Sequence, residues 1–98
     1  MANTRKIALH YMQHPSWSSL PEEDRELLEL AVKAARNAYA PYSKFKVGAA
    51  MRMESGELVP GSNQENASYP AGTCAERTAL HAAMTVMPNG TVESMAIV

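Results

Sequence analysis

The sequence has one cysteine, one tryptophan, one phenylalanine and no apolar run of bilayer-spanning length. A single thiol excludes an internal disulfide framework and fits a reducing compartment, so a cytoplasmic location is expected. A helical anchor would need ~20 consecutive apolar residues. Arg5 and Lys6 precede a short apolar stretch, but His10, Gln13, His14 and Pro15 break it, which suits neither a signal peptide nor an anchor. An excess of one charge is missing too: 9 Lys+Arg face 10 Asp+Glu, a net charge of -1. Without a basic stripe, neither a nucleic-acid nor a membrane partner is expected. Large aliphatics are also scarce, since Leu, Ile, Val and Phe together number 16, no more than the 16 alanines. The near-zero charge still separates the chain from disordered sequences. Alanine and 7 methionines are present instead, which implies helices packed closely through small faces. The 98 residues make one domain over 1–98. A domain of this size buries only roughly 60 % of its unfolded surface, so a partner subunit or further chain is expected to complete the core.

The pattern along the chain alternates strands and helices. Residues 1–20 form an N-terminal extension, a short strand over 6–12 (Ile7, Leu9 and Tyr11 on one side) followed by a connector. Ser19 and Glu22 have capping-box spacing, and a helix is predicted over 21–39, ended by Pro41. Its small-residue stripe is Leu27, Ala31, Ala34, Ala35 and Ala38. Residues 45–53 read as a strand, 54–57 as a hairpin turn and 58–62 as the returning strand, where Pro60 implies an edge or a distorted pairing. A polar, turn-rich stretch over 63–72 leads to a second helix over 74–87, the breaker Pro88-Asn89-Gly90 and a strand over 92–98. This is an α/β pattern with a crossover from the hairpin to the last strand. The last strand runs to the final residue, which leads to the expectation that more chain follows.

Thr73-Cys74-Ala75-Glu76-Arg77 stands where a loop enters the second helix. In isolation Thr73 and Glu76 read as a capping box, and Cys74 as a small buried hydrophobe. The same placement also suits chemistry, because the positive end of a helix stabilises a thiolate that can bind a soft metal. A carboxylate two residues on can then reach a water beside that metal. The zinc deaminases carry His or Cys, one residue, then Glu, followed later by Pro-Cys-x-x-Cys. Cys74-Ala75-Glu76 matches the first half, and the second half is absent.

Two further segments extend the match. Ala38-Tyr39-Ala40-Pro41-Tyr42-Ser43-Lys44-Phe45-Lys46-Val47-Gly48-Ala49-Ala50 resembles the leading motif of the tetrameric cytidine deaminases. Gly61-Ser62-Asn63-Gln64-Glu65-Asn66-Ala67-Ser68-Tyr69-Pro70 resembles their nucleoside-binding segment, and Cys74-Ala75-Glu76-Arg77-Thr78-Ala79 follows in order. The resemblance covers about residues 38–84 and leaves the first ~20 outside it. It implies a three-layer cytidine-deaminase-like fold, a mixed central sheet flanked by helices, here incomplete at the C-terminus. It also implies a homotetramer acting in pyrimidine salvage, deaminating cytidine or deoxycytidine with one zinc per subunit.

Residue by residue, the resemblance makes Cys74 the first of three thiolate zinc ligands. Glu76 becomes the proton shuttle between the attacking water and the departing ammonia, with the Ala75 N–H beside it. Asn63 and Glu65 grip the ribose hydroxyls, and Phe45 packs near the pyrimidine. Arg77 donates to the zinc thiolates, and Tyr69 lines a neighbouring subunit's site. Taken singly, Asn63 is also an ordinary turn residue and Phe45 an ordinary core residue. His81, His10 and His14 show no ligand spacing, and the Met51/Met53 and Met84/Met87 pairs read as core or interface filler.

A catalytic zinc needs three protein ligands and an open position, and this chain offers one cysteine. Two expectations follow. The chain is an N-terminal portion of a longer deaminase, inactive by itself, whose two further Cys ligands lie elsewhere. The alternative is a non-catalytic, zinc-free scaffold or regulatory subunit of the same fold.

Overall fold

A computed structural model describes residues 2–98, so Met1, the start of the N-terminal extension, lies outside the described residues. Helix α1 (Glu22–Arg36) follows a short 3-10 turn at Trp17–Ser19. Glu22, Glu23 and Asp24 in its first turn and Lys33 and Arg36 in its last complement the helix dipole. The capping box read from Ser19 and Glu22 is not formed. Pro21 occupies the N-cap, while the Ser19 hydroxyl donates to the Ser16 carbonyl at 2.7 Å. The helix also ends earlier than the predicted residue 39. Tyr39 leaves it to donate its N–H to the Asn63 carbonyl at 3.0 Å, and this pairing outcompetes nearly one further turn of helix.

Three strands follow: β1 (Gly48–Met53), β2 (Leu58–Ser62) and, after helix α2 (Ala75–Val86), β3 (Val92–Ile97). The sheet order is β2-β1-β3. Gly48 pairs with Ser62 and Arg52 with Leu58 in one antiparallel ladder, and Ala49 pairs with Ile97 in the other. The expected mixed sheet therefore shows only antiparallel ladders among the described residues, with an isolated parallel bridge between Tyr39 and Gln64. Pro60 lies on an edge strand, where its missing N–H costs no outward pairing. A register shift lets Met53 pair with Val92 but Arg52 with Ser94. The extra residue turns the strand over, so Val92 packs with the α2 cluster while Ala96 packs with the α1 cluster.

Successive β1 side chains point to opposite faces, and each face takes one helix. Ala50 packs with Leu27 and Ala31 of α1, whereas Ala49 and Met51 pack with Ala75 and Ala79 of α2. The expected three-layer α/β arrangement is thus present: α1, sheet, α2. Small residues set the spacing of those layers. A Cβ on Gly48 would fall 2.6 Å from the Ala35 nitrogen of α1, and one on Gly61 would fall 2.6 Å from the Ala75 carbonyl oxygen of α2. Met51 and Met53 are fully buried, whereas Met84 and Met87 are half-buried.

The strand expected over 6–12 is not formed. The segment has no regular structure, and Ile7 and Tyr11 are 91 % and 85 % exposed. Alternation is only half of a strand, because the backbone groups also need a partner edge, and this segment pairs with none.

Candidate active site

A three-residue strip just beyond β2 organises one end of the molecule. The Glu65 N–H donates to the Tyr39 carbonyl at 2.8 Å, while Gln64 and Thr73 exchange both backbone hydrogen bonds at 2.9 Å. The strip therefore sits between the segment leaving α1 and the segment entering α2. Its period of two sends Asn63 and Glu65 to the same side, and the side chains of both engage residues 42–47.

Glu65 Oε1 accepts from the N–H groups of Tyr42 and Ser43 at 2.9 and 3.1 Å. The Ser43 hydroxyl and N–H, helped by the Tyr42 N–H and the Lys44 ammonium, hold the Glu65 carboxyl below the ordinary carboxylate range. Asn63 Oδ1 accepts from the Val47 N–H and Asn63 Nδ2 donates to the Phe45 carbonyl, each at 2.8 Å. Between these anchors Lys44 adopts a left-handed conformation (φ 61°), which turns the chain back toward β1.

On the far side of the strip, Cys74 is the N-cap of α2 and is exposed. The Thr73–Glu76 capping box is absent; Thr78 instead returns its hydroxyl and N–H to the Cys74 carbonyl at 2.9 and 3.0 Å. Cys74 is therefore not the buried hydrophobe that the composition alone allowed. Ala75 is fully buried against β1, which seats the helix start. Glu76 is half-buried on the following position.

These pieces border one open cleft of about 1110 Å³. Among the residues singled out in the sequence, it gathers Cys74, Ala75, Glu76 and Arg77 with Asn63 and Glu65, and Tyr69 stands on its rim at 90 % exposure. Phe45 is neither core nor cleft wall; it is 70 % exposed and does not border the cleft. His81 is exposed on α2. Tyr42 and Ser43 were missed as functional positions. They stand in the leading motif, but their backbone donors carry no side-chain signature that would assign them a role.

A thiol and a carboxylate at a helix start, opposite a hydrogen-bonded carboxylate, can hold a polar ligand and move a proton at one end of it. Zinc does not fit the residues present as a complete site. Among the described residues no three His, Cys, Asp or Glu side chains cluster to hold a metal, and Cys74 is a lone thiol. No helix among them is long and apolar enough to cross a membrane.

Comparisons with known proteins point to one family. A family model described as the cytidine and deoxycytidylate deaminase zinc-binding region matches residues 21–98. A cytidine deaminase of Halalkalibacterium halodurans is 53 % identical over 58 residues, 58 % of this chain and 44 % of that protein. A cytidine deaminase of Mycobacterium tuberculosis is 47 % identical over 58 residues, with the same shares of 58 % and 44 %. The chain thus spans under half the length of these relatives. Among solved structures, a cytidine deaminase from Burkholderia pseudomallei superposes with a TM-score of 0.68 at 42 % identity, covering 80 % of this chain and 61 % of that one. The Mycobacterium tuberculosis structure gives 0.72 at 37 % identity, covering 80 % and 63 %.

Proposed function

The chain belongs to the cytidine and deoxycytidylate deaminase zinc-binding family, and from that membership we propose that it forms the nucleoside-binding part of a hydrolytic cytidine deaminase. The reaction exchanges the C4 amino group of cytidine or deoxycytidine for the oxygen of water, releasing ammonia and a uridine. The observation that carries the reading is the single cleft shared by Cys74, Ala75, Glu76, Asn63 and Glu65.

In this reading Glu76 takes a proton from the attacking water oxygen and returns one to the departing amine nitrogen, with the Ala75 N–H beside it. Glu65 accepts a ribose hydroxyl at the opposite end and Asn63 stands next to it, while Phe45, which does not border the cleft, is given no contact with the pyrimidine. Bound zinc supplies a Lewis acid that makes water nucleophilic near neutral pH. Cys74 would be one ligand of one zinc per subunit, with Arg77 beside it to donate to the thiolates, and the site would need two further ligands that the described residues do not supply. The likeness also supports a cytoplasmic homotetramer in pyrimidine salvage, in which the exposed Tyr69 reaches a neighbouring subunit's site.

The lone thiol favours one second reading, a zinc-free scaffold or regulatory subunit. Metal content and turnover, measured on one preparation of the natural full-length protein, decide between them. The deaminase reading expects bound zinc and a loss of cytidine absorbance matched by released ammonia. Glu76→Gln is then expected to keep the zinc and lose roughly 10²–10⁴ of the rate, the usual contribution of a positioned acid–base group. Zinc-free protein without turnover supports the scaffold.

A further inference from the structure

The segment before α1 is an apolar arm with no seat on its own domain. Ile7, Leu9 and Tyr11 fall on one side of the extended chain and are 85–91 % exposed. Lys6, Ala8 and His10 fall on the other side. Among the described residues, no hydrogen bond reaches residues 2–15. The root of the arm is, by contrast, well built. The Ser19 hydroxyl and N–H both donate to the Ser16 carbonyl, at 2.7 and 3.2 Å. The Leu20 N–H donates to the Trp17 carbonyl at 3.1 Å, and the Ser16 and Ser18 hydroxyls lie 2.8 Å apart. Pro15 and Pro21 bracket this turn, and Leu20 is half-buried. A hydrogen-bonded elbow thus carries the arm away from the domain. Single exposed apolar side chains are ordinary on a surface. Three in alternation on one side of an arm that touches nothing are a contact waiting for its partner.

We propose that the arm is an interchain clasp: residues 6–12 of each copy lie across a second copy of this chain, apolar side inward, in a reciprocal exchange. The area favours a second copy over an unrelated protein. Covering Ile7, Leu9 and Tyr11 removes about 300 Å² of the arm from water, and about as much of the surface beneath. One docked arm therefore buries about 600 Å², half of what a specific complex needs. A twofold exchange repeats the contact and reaches about 1,200 Å², where stable interfaces begin. The arm lies outside residues 21–98, which the family model matches, so the clasp does not depend on the deaminase reading.

The test uses the natural full-length protein and two substitutions outside its helices and strands. Amide hydrogen exchange over residues 7–11 is followed in the assembled protein, and association is followed by sedimentation across a dilution series. The docked arm is expected to exchange at least about tenfold more slowly than an unprotected chain. Leu9→Asp removes an apolar contact from both arms at once. Each such contact is worth about tenfold or more in an equilibrium constant, so dissociation should become at least about a hundredfold easier. Ala8→Asp puts the same charge on the outer side and is expected to change dissociation by less than about threefold.

A mixture of isotopically light and heavy copies, cross-linked through Lys6, locates the arm. Hybrid light–heavy pairs are the expected product. Cross-links confined to one copy, arm amides that exchange without protection, or equal effects of Leu9→Asp and Ala8→Asp would each overturn the clasp. Cytidine turnover enters none of these readouts, so its absence removes the deaminase reading and leaves the arm to be decided by exchange and cross-linking.

Discussion

Gly61→Ala tests whether α2 is held at its distance from the sheet by the missing side chain. The added methyl would lie 2.6 Å from the Ala75 carbonyl oxygen and 2.8 Å from the Ala79 Cα. Both obstacles are backbone, so no rotamer change relieves the contact, and ordinary van der Waals separation requires the helix to retreat by somewhat under 1 Å. The surface it retreats from is fully packed: Ala75, Ala79, Ala49 and Met51 are each 0 % exposed. A gap of that size forfeits a quarter to a half of the dispersion energy of every pair across it. Overpacked cores lose about 1–3 kcal/mol, and a clash with backbone alone belongs in the upper half of that range. For a domain of this length the expected fall in melting temperature is about 10–20 °C, read by circular dichroism. Gly56→Ala is the control. Its φ is +93° with nothing within 4 Å, so only about 1–2 kcal/mol of backbone strain is expected. A Gly61→Ala protein that melts within about 3 °C of the parent, or above Gly56→Ala, refutes the close-approach argument.

Leu27 is the one large aliphatic fully committed to the α1 side, at 3 % exposure, and Leu27→Ala should cost about 2–5 kcal/mol in a denaturant titration. The lowered Glu65 titration gives the 42–47 loop a pH dependence. Because the folded carboxyl binds protons less readily than the unfolded one, its stabilisation is present above the unfolded pKa and is lost as pH falls through the folded value. Exchange at the Tyr42 and Ser43 amides, corrected for intrinsic rates, should therefore accelerate in the acid range below the ordinary carboxylate value, and Glu65→Gln should abolish that acid step. Deleting residues 2–14 should shift the melting temperature of a dissociated copy by no more than about 2 °C, since Ile7, Leu9, Tyr11 and Met12 are 84–91 % exposed. A larger drop would show that the segment packs on its own domain.

What was legible in the sequence was whatever local physics decides. The returning strand over 58–62 appears with those bounds, and the second helix is found within a residue of the expected 74–87, because Gly56, Pro88 and Gly90 punctuate the chain where periodicity breaks. The failures have two causes, pairing that depends on distant residues and local bonds that compete with the expected ones. Alternation over 6–12 met no edge, and the helix predicted to Tyr39 lost its last turn to Asn63, 24 positions on. Both capping boxes had the right spacing, yet Ser19 found Ser16 and Cys74 took the N-cap itself. Phe45 looked like core because apolar residues usually are. Its place beside the left-handed Lys44, where the chain is anchored by its Phe45 carbonyl and not by the ring, leaves the ring outside.

Long-range backbone pairing also decides where the candidate site sits. Three chain segments arrive at one end of the sheet with unpaired backbone: the exit from α1, the extension of β2 and the entry to α2. Strip 63–65 satisfies the first and third through main-chain bonds to Tyr39 and Thr73. It satisfies the loop before β1 through Asn63 and Glu65. Side chains that complete backbone pairing cannot move without opening it, so the cleft inherits its geometry from the sheet instead of from the cleft walls. Cys74 and Glu76 belong to the same arrangement, because the Gln64–Thr73 pair fixes where α2 begins and the buried Ala75 fixes which way it faces. A shift of α2 away from Gly61 would therefore reach Thr73, then Gln64, then both neighbours of Gln64. The packing of two alanine-lined helices and the position of the carboxylates across the cleft are, on this architecture, one structural variable.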